Sequence, residues 1–104
     1  MTSQLAREQL AQAYPPGTPV KGKILTTLYF GVFVQLDGFP SDVSALLEII
    51  HVPNLDYQQY PNGFPIEARI EARVMGWTKN FGQVYLTQYD RHSDNPLYQD
   101  QPIG

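Results

Sequence analysis

Cysteine is absent from this chain. With it go disulfide staples, thiolate metal sites and cysteine nucleophiles, so the fold must hold by packing alone, which suits a reducing cytosol. Long apolar runs are missing too: Met1 opens a polar stretch, and no segment has the length of a signal-peptide core or a membrane span. A soluble cytoplasmic protein without a membrane partner is therefore expected. Charge is scarce at 16% of residues, and its balance is 7 Lys plus Arg against 10 Asp plus Glu, a formal -3. That sign speaks against bulk attraction to phosphates, although a stacking platform for single strands needs only a local patch. The two histidines, His51 and His92, stand far apart with no cysteine near either, so no metal and no cofactor is expected. There is no Gly-Lys-Ser/Thr phosphate loop. Ser41, Asp42, Ser44 and Glu48 lie close in sequence, but no His or Lys stands at a spacing that would activate a serine, so the chain does not read as an enzyme.

What remains is a chain of 104 residues, enough for one core, with 42% apolar residues, 8 Gly and 9 Pro. That composition fits an all-β barrel or sandwich with many turns better than a helical bundle. Residues 3–13 (SQLAREQLAQA) are good helix formers with Thr2 or Ser3 available as a cap, and Pro15 and Pro16 end the helix. Its thin apolar stripe of Leu5, Ala6, Leu10 and Ala13 suits either packing on a barrel edge or fraying. From Thr18 the period falls to two. Val20, Gly22 and Ile24 alternate with Lys21, Lys23 and Leu25 in a first strand. In YFGVFVQL (29–36) Val32, Val34 and Leu36 point in, while Gly31, Phe33 and Gln35 point out, before an Asp37-Gly38 turn.

Ser44 to Ile50 holds a brief third strand followed by a helical turn, and Asn54 to Tyr60 reads as one or two helical turns between Pro53 and Pro61. In PIEARIEARV (65–74) Ile66, Ala68, Ile70, Ala72 and Val74 share one face, and Glu67, Arg69, Glu71 and Arg73 form a self-compensating charge row on the other. The loop GWTKNFG (76–82) leads to QVYLTQY (83–89), where Val84 and Leu86 face in and Tyr85 and Thr87 face out. The organisation is thus a helix over 1–14, a barrel domain over 15–90 and a flexible tail over 91–104.

Five strands in this order, with a short helix between the third and fourth, are what a five-stranded OB-fold barrel requires. Residues 17–88 also resemble the S1 family of RNA-binding domains. Gly17 followed by Val20, Gly22 and Ile24 is similar to its opening phrase, and Phe30, Gly31, Phe33, Val34 and Leu36 to its F-G-x-F-V-x-L second strand. Gly63 precedes the fourth strand, and Val84, Leu86 and Thr87 resemble its closing I-x-L-S. Two positions depart from the pattern. Glu48 stands where the family often presents a His to RNA, and Gln83 occupies the neighbourhood of a usual basic residue.

The resemblance implies that Phe30 and Phe33 stand on the outer face of the second strand, where bases stack. Strict alternation separates the two rings, so this arrangement needs an irregularity such as a bulge at Gly31. Lys21, Lys23 and Lys79 are the candidate phosphate contacts and Trp77 a third stacking ring, whereas Phe81 reads as a plug under the barrel mouth. Tyr57, Tyr60 and Tyr85 read as half-buried strand and loop residues. The implied function is weak, sequence-tolerant binding of single-stranded RNA. The competing reading is a degenerate S1 barrel that binds a protein partner through the same rings.

Overall fold

The computed structural model describes residues 1–89 of the 104. The expected tail over 91–104, with His92, lies outside the described residues. Helix α1 (Gln4–Ala13) is followed by strands β1 (Pro19–Leu28), β2 (Gly31–Leu36), β3 (Ser44–Glu48), β4 (Arg69–Trp77) and β5 (Gln83–Thr87). The strands close a barrel in the order β1-β2-β3-β5-β4, with β4 pairing back onto β1. All pairs are antiparallel except β3 with β5. This is the five-stranded Greek-key barrel of the OB-fold.

Alternation fills the interior as the sequence predicts. Val20, Ile24, Val32, Val34, Leu36, Ala45, Leu47, Val74, Val84 and Leu86 are all buried in one core. Burying each larger aliphatic side chain contributes roughly 1.5–3 kcal/mol, which is how a chain with no disulfide holds together. Gly22 is required by the tight approach of β1 to β2: a Cβ there would lie 2.3 Å from the Gln35 carbonyl oxygen.

Helix α1 packs against the barrel through its C-terminal end. Ser3 caps it, its Oγ accepting from the Ala6 amide at 3.1 Å. Asp42 ties its start to the turn before β3, accepting from the Thr2 amide at 2.8 Å and the Thr2 hydroxyl at 2.6 Å, with Arg7 at 3.4 Å. Its last turn brings Leu10 and Tyr14 against the core. Tyr14 meets Phe39 edge-on at 4.8 Å, and Phe39 stacks on Trp77 at 6.1 Å. The Trp77 indole N–H donates to the Tyr14 carbonyl at 3.0 Å.

Three expectations shift. The fourth strand begins at Arg69 and not at Pro65, because Glu67 sits at φ 73 in a turn closed by the Ala68 amide on the Pro65 carbonyl. Ile66 therefore stays outside at 52% exposure, while Ala68, Ile70 and Ala72 pack on the core as expected. The short helix between strands three and four is a single 3-10 turn, Ile49–His51. Residues 54–60 form turns, with the Gln59 and Tyr60 amides both on the Asp56 carbonyl. Thr87 stands opposite Arg73 on the outer side of the barrel but is covered, at 4% exposure. The chain leaving β5 folds beside the 3-10 turn, the Gln88 amide donating to the His51 carbonyl.

Candidate nucleic-acid interface

Outward positions on neighbouring strands fall into rows, because register fixes which side chains stand abreast. Phe33 of β2 pairs with Thr26 of β1 on one side and Leu46 of β3 on the other, and Leu46 pairs with Tyr85 of β5. Phe33, Leu46 and Tyr85 thus form an apolar row on the outside of the barrel. Leu46 in the middle is only 6% exposed, yet it is not part of the interior core. One row along stand Gln35, Ser44 and Gln83, and one row the other way Gly31 and Glu48. Strand spacing of about 4.8 Å sets the Phe33 and Tyr85 positions roughly 10 Å apart.

The irregularity that shapes this face lies in β1, not at Gly31. Ile24 pairs with Val34 and Thr26 with Phe33, so Leu25 is an extra residue, and both Leu25 and Thr26 are exposed. This β-bulge forms one wall of a groove of about 220 Å3 beside Phe33, with Gln35, Ser41 and Ser44 on the other side. Bulges of this kind recur where a strand edge must re-aim a side chain at a site. Gly31 has a different task. A Cβ there would lie 2.6 Å from the Leu47 carbonyl oxygen, so glycine lets β2 and β3 meet.

Phe30 precedes β2, in the two-residue turn between the paired residues Leu28 and Gly31, so it does not share the strand face with Phe33. Its ring is 37% exposed and meets the 88% exposed ring of Tyr29 edge-on at 5.1 Å. The turn is pinned from behind. Tyr60's hydroxyl, with one proton to give, faces the carbonyls of both Leu28 and Gly31, the latter at 2.6 Å. Burial raises the Tyr60 hydroxyl above the ordinary tyrosine value, which keeps it a donor.

Trp77 belongs to the end of β4 and is committed to α1 through Tyr14 and Phe39. It is therefore not displayed at a loop tip. Phe81 is half-buried and lines a separate groove with Trp77, Pro15 and Pro16, the nearest thing to the expected plug. Lys79 is exposed at the 78–82 turn, which Asn80 organises by accepting from the Thr78 hydroxyl and the Gly82 amide.

The lysines of β1 are not free. Lys21 lies 3.7 Å from Glu71 and Lys23 3.0 Å from Glu67, while Arg69 makes a two-pronged pair with Asp37 whose Nη1–Oδ1 arm measures 2.9 Å. Register explains the crossing over: Lys23 stands directly opposite Arg69, a like-charge pair relieved only if each reaches for a carboxylate elsewhere. The charge row of β4 is thus compensated by β1 and Asp37 and not within itself. The Arg69 hydrogen bond holds Asp37 below the usual carboxylate value and raises Arg69. Arg73 donates to the Gly17 carbonyl at 3.0 Å. Among the described residues, Arg73 and Lys79 are the cations outside any ion pair.

Of the sequence-predicted site residues, Lys79 and, at the turn, Phe30 are exposed and Phe33 is half-buried; Lys21 and Lys23 keep exposed side chains beside carboxylates, and Trp77 is engaged within the molecule. Leu46, Tyr85 and Gln35 were missed as site residues. Alternation in QVYLT already turns Tyr85 outward, but only the parallel β3–β5 pairing sets it beside Leu46. Ser44 and Asp42, set aside as catalytic candidates, are occupied: Ser44 Oγ donates to Gln83 Oε1 at 3.4 Å, and Asp42 holds α1. Among the described residues no group of three or more His, Cys, Asp and Glu is placed to hold a metal, and no helix is long and apolar enough to cross a membrane.

No protein-family model matches the chain, and no curated protein sequence matches it. Solved structures do. The solution structure of GSP13 from Bacillus subtilis superposes with a TM-score of 0.60 at 18% identity over 86% of this chain and 62% of that one. A chain of the a/eIF2alpha–aDim2p–rRNA complex from Pyrococcus horikoshii OT3 gives 0.60 at 20% identity over 85% of this chain and 52% of that one. Mycoplasma genitalium RNase R in complex with ribose methylated single-stranded RNA gives 0.59 at 19% identity over 81% of this chain and 14% of that one. In each case the chain spans less than two thirds of the protein it matches. What it shares with them is the fold: this is a closed, five-stranded OB barrel.

Proposed function

We propose that this barrel binds unpaired RNA, weakly and with broad sequence tolerance, across the outer face of β2, β3 and β5. The observation that carries the reading is the Phe33–Leu46–Tyr85 row, two aromatic positions flanking a covered leucine on a rigid sheet, with the bulge-walled groove beside Phe33. Stacking a base on such a ring is worth about 1–3 kcal/mol and accepts any base, because every base has a π-face. Phe30 at the β1–β2 turn adds an exposed ring off the end of the strand face, and Lys79 offers a phosphate contact. Support comes also from the fold's company: a structural neighbour was solved with single-stranded RNA and another in a complex containing rRNA. The chain acts here as a binding module, with no reaction assigned to it.

Glu48 and the carboxylate-paired lysines make the face a weak one, since stacking then has little help from phosphate attraction. The same features favour a second reading, a protein-binding barrel whose anchors are the exposed Tyr29 and Phe30. Amide chemical shifts of the full chain during titration with an unstructured RNA dodecamer separate the two. Perturbations concentrated in residues 25–35, 41–48 and 79–87 are expected. Shifts absent throughout the titration, or confined to the far β1–β4 face, would reject the RNA reading.

A further inference from the structure

The groove beside Phe33 has a hydrogen-bonding polarity as well as a shape. Gln35 lines it, and the Gln35 amide cannot rotate freely: Nε2 donates to the Leu36 carbonyl at 3.1 Å and to the Phe39 carbonyl at 3.0 Å. Both partners are acceptors, so the nitrogen must face them and the oxygen must face away. Among the described residues Oε1 has no hydrogen-bond partner, and it is not among the buried orphan atoms, so it keeps some exposure to solvent. Ser44 points its hydroxyl proton at Gln83 Oε1 and offers lone pairs on its remaining side. The polar rim therefore presents acceptors, held in place by backbone carbonyls and a neighbouring strand. No Lys or Arg lines the groove.

At about 220 Å3 the groove is smaller than the ~300 Å3 at which pockets for drug-sized ligands begin. It has room for one flat group lying against Phe33, with Leu25 and Thr26 of the bulge closing the far side. A fixed acceptor at the edge of an aromatic slot selects a base that carries an exocyclic amino donor. Cytosine N4, adenine N6 and guanine N2 are such donors; uracil has none, and its N3–H lies between two carbonyl oxygens, which would face Gln35 Oε1 repulsively. We infer that the groove between the β1 bulge and the turn before β3 is a nucleobase pocket in which Gln35 Oε1 accepts from an amino group, so that cytosine or adenine is preferred to uracil. The inference rests on the RNA-binding reading and adds to it a base preference at one position, on a face that otherwise tolerates any base.

The test uses the full chain and labelled oligo(C) and oligo(U) dodecamers in fluorescence anisotropy at low salt and neutral pH. Oligo(C) is expected to bind roughly 3- to 10-fold more tightly, the range of one or two modest hydrogen bonds. An oligo(C) whose N4 atoms carry two methyl groups has no donor left and should fall to the oligo(U) level. Gln35→Met should equalise oligo(C) and oligo(U) at that level. If the variant does not fold, the three wild-type affinities decide alone. Equal binding of oligo(C), oligo(U) and the dimethylated oligomer by the wild type overturns the base pocket and leaves the stacking reading standing. Failure of every oligomer to bind overturns both.

Discussion

Salt dependence measures how many phosphates the protein neutralises, and the structure fixes that number within narrow limits. Each phosphate neutralised on a single strand contributes about -0.7 to the slope of log K against log salt. Six Lys and Arg side chains fall among the described residues, and four of them (Arg7, Lys21, Lys23 and Arg69) are paired with carboxylates. Arg73 and Lys79 remain among the described residues and Arg91 lies outside them, so the slope should lie between about -0.7 and -2.1, a loss of roughly 3- to 18-fold in affinity from 50 to 200 mM salt. If Lys21 and Lys23 also left Glu71 and Glu67 for phosphates, five contacts would give about -3.5 and a roughly 130-fold loss over the same interval. Anisotropy titrations of an unstructured RNA at four or five salt concentrations resolve the difference. A slope steeper than about -2.5 would refute the view that these ion pairs survive binding and that stacking dominates.

Other outcomes follow from single contacts. Glu48→Gln removes an anion one row from Leu46 on the outer face, about 7 Å along the strand. It should tighten RNA binding by about 1 kcal/mol at low salt, read as a several-fold lower Kd. Asp42 has its carboxyl lowered to about 2 from 3.8 by the hydrogen bonds from Thr2. Because the folded value is the depressed one, its stabilisation is complete above pH 3.8 and disappears as pH falls through about 2. Melting temperatures across that window should fall more steeply for the wild type than for Asp42→Asn, and parallel curves would show that Asp42 does not anchor α1. Gly22→Ala forces a Cβ to within 2.3 Å of the Gln35 carbonyl oxygen. It should cost about 1–3 kcal/mol, or at least several degrees of Tm in a domain of this size; an unchanged Tm would contradict the close approach of β1 and β2.

Alternation made most of the barrel legible in the sequence. Val32, Val34 and Leu36 in β2, and Val84 and Leu86 in β5, are buried as their spacing implies, because a half-buried strand offers only two faces. Local turn geometry was harder to read. Nothing in PIEARIEARV marks Glu67 as the residue at φ 73 that delays β4, since its alternation continues unbroken through the turn. The bulge at Leu25 was equally hidden, and it was assigned to Gly31, where a glycine signalled close packing of strands instead.

The candidate site was legible where it depended on one strand and not where it depended on several. Phe33 follows from alternation within β2, and Lys79 from a polar turn. Tyr85 and Leu46 join Phe33 only through the β3–β5 pairing, which is parallel and joins segments far apart in sequence. Trp77 and the lysines of β1 have partners that the sequence did not show, for a related reason. Their partners, Tyr14, Glu67 and Glu71, belong to other elements, and no local pattern shows that an exposed-looking side chain is already taken.

Phe33 belongs to both the stacking row and the groove beside it, so its removal is the most direct measurement. Affinity for a labelled, unstructured single-stranded RNA should fall by about 1–3 kcal/mol in Phe33→Ala, roughly 5- to 150-fold, with the fold confirmed by circular dichroism. A folded Phe33→Ala protein that binds RNA as tightly as the wild type would contradict stacking on this face.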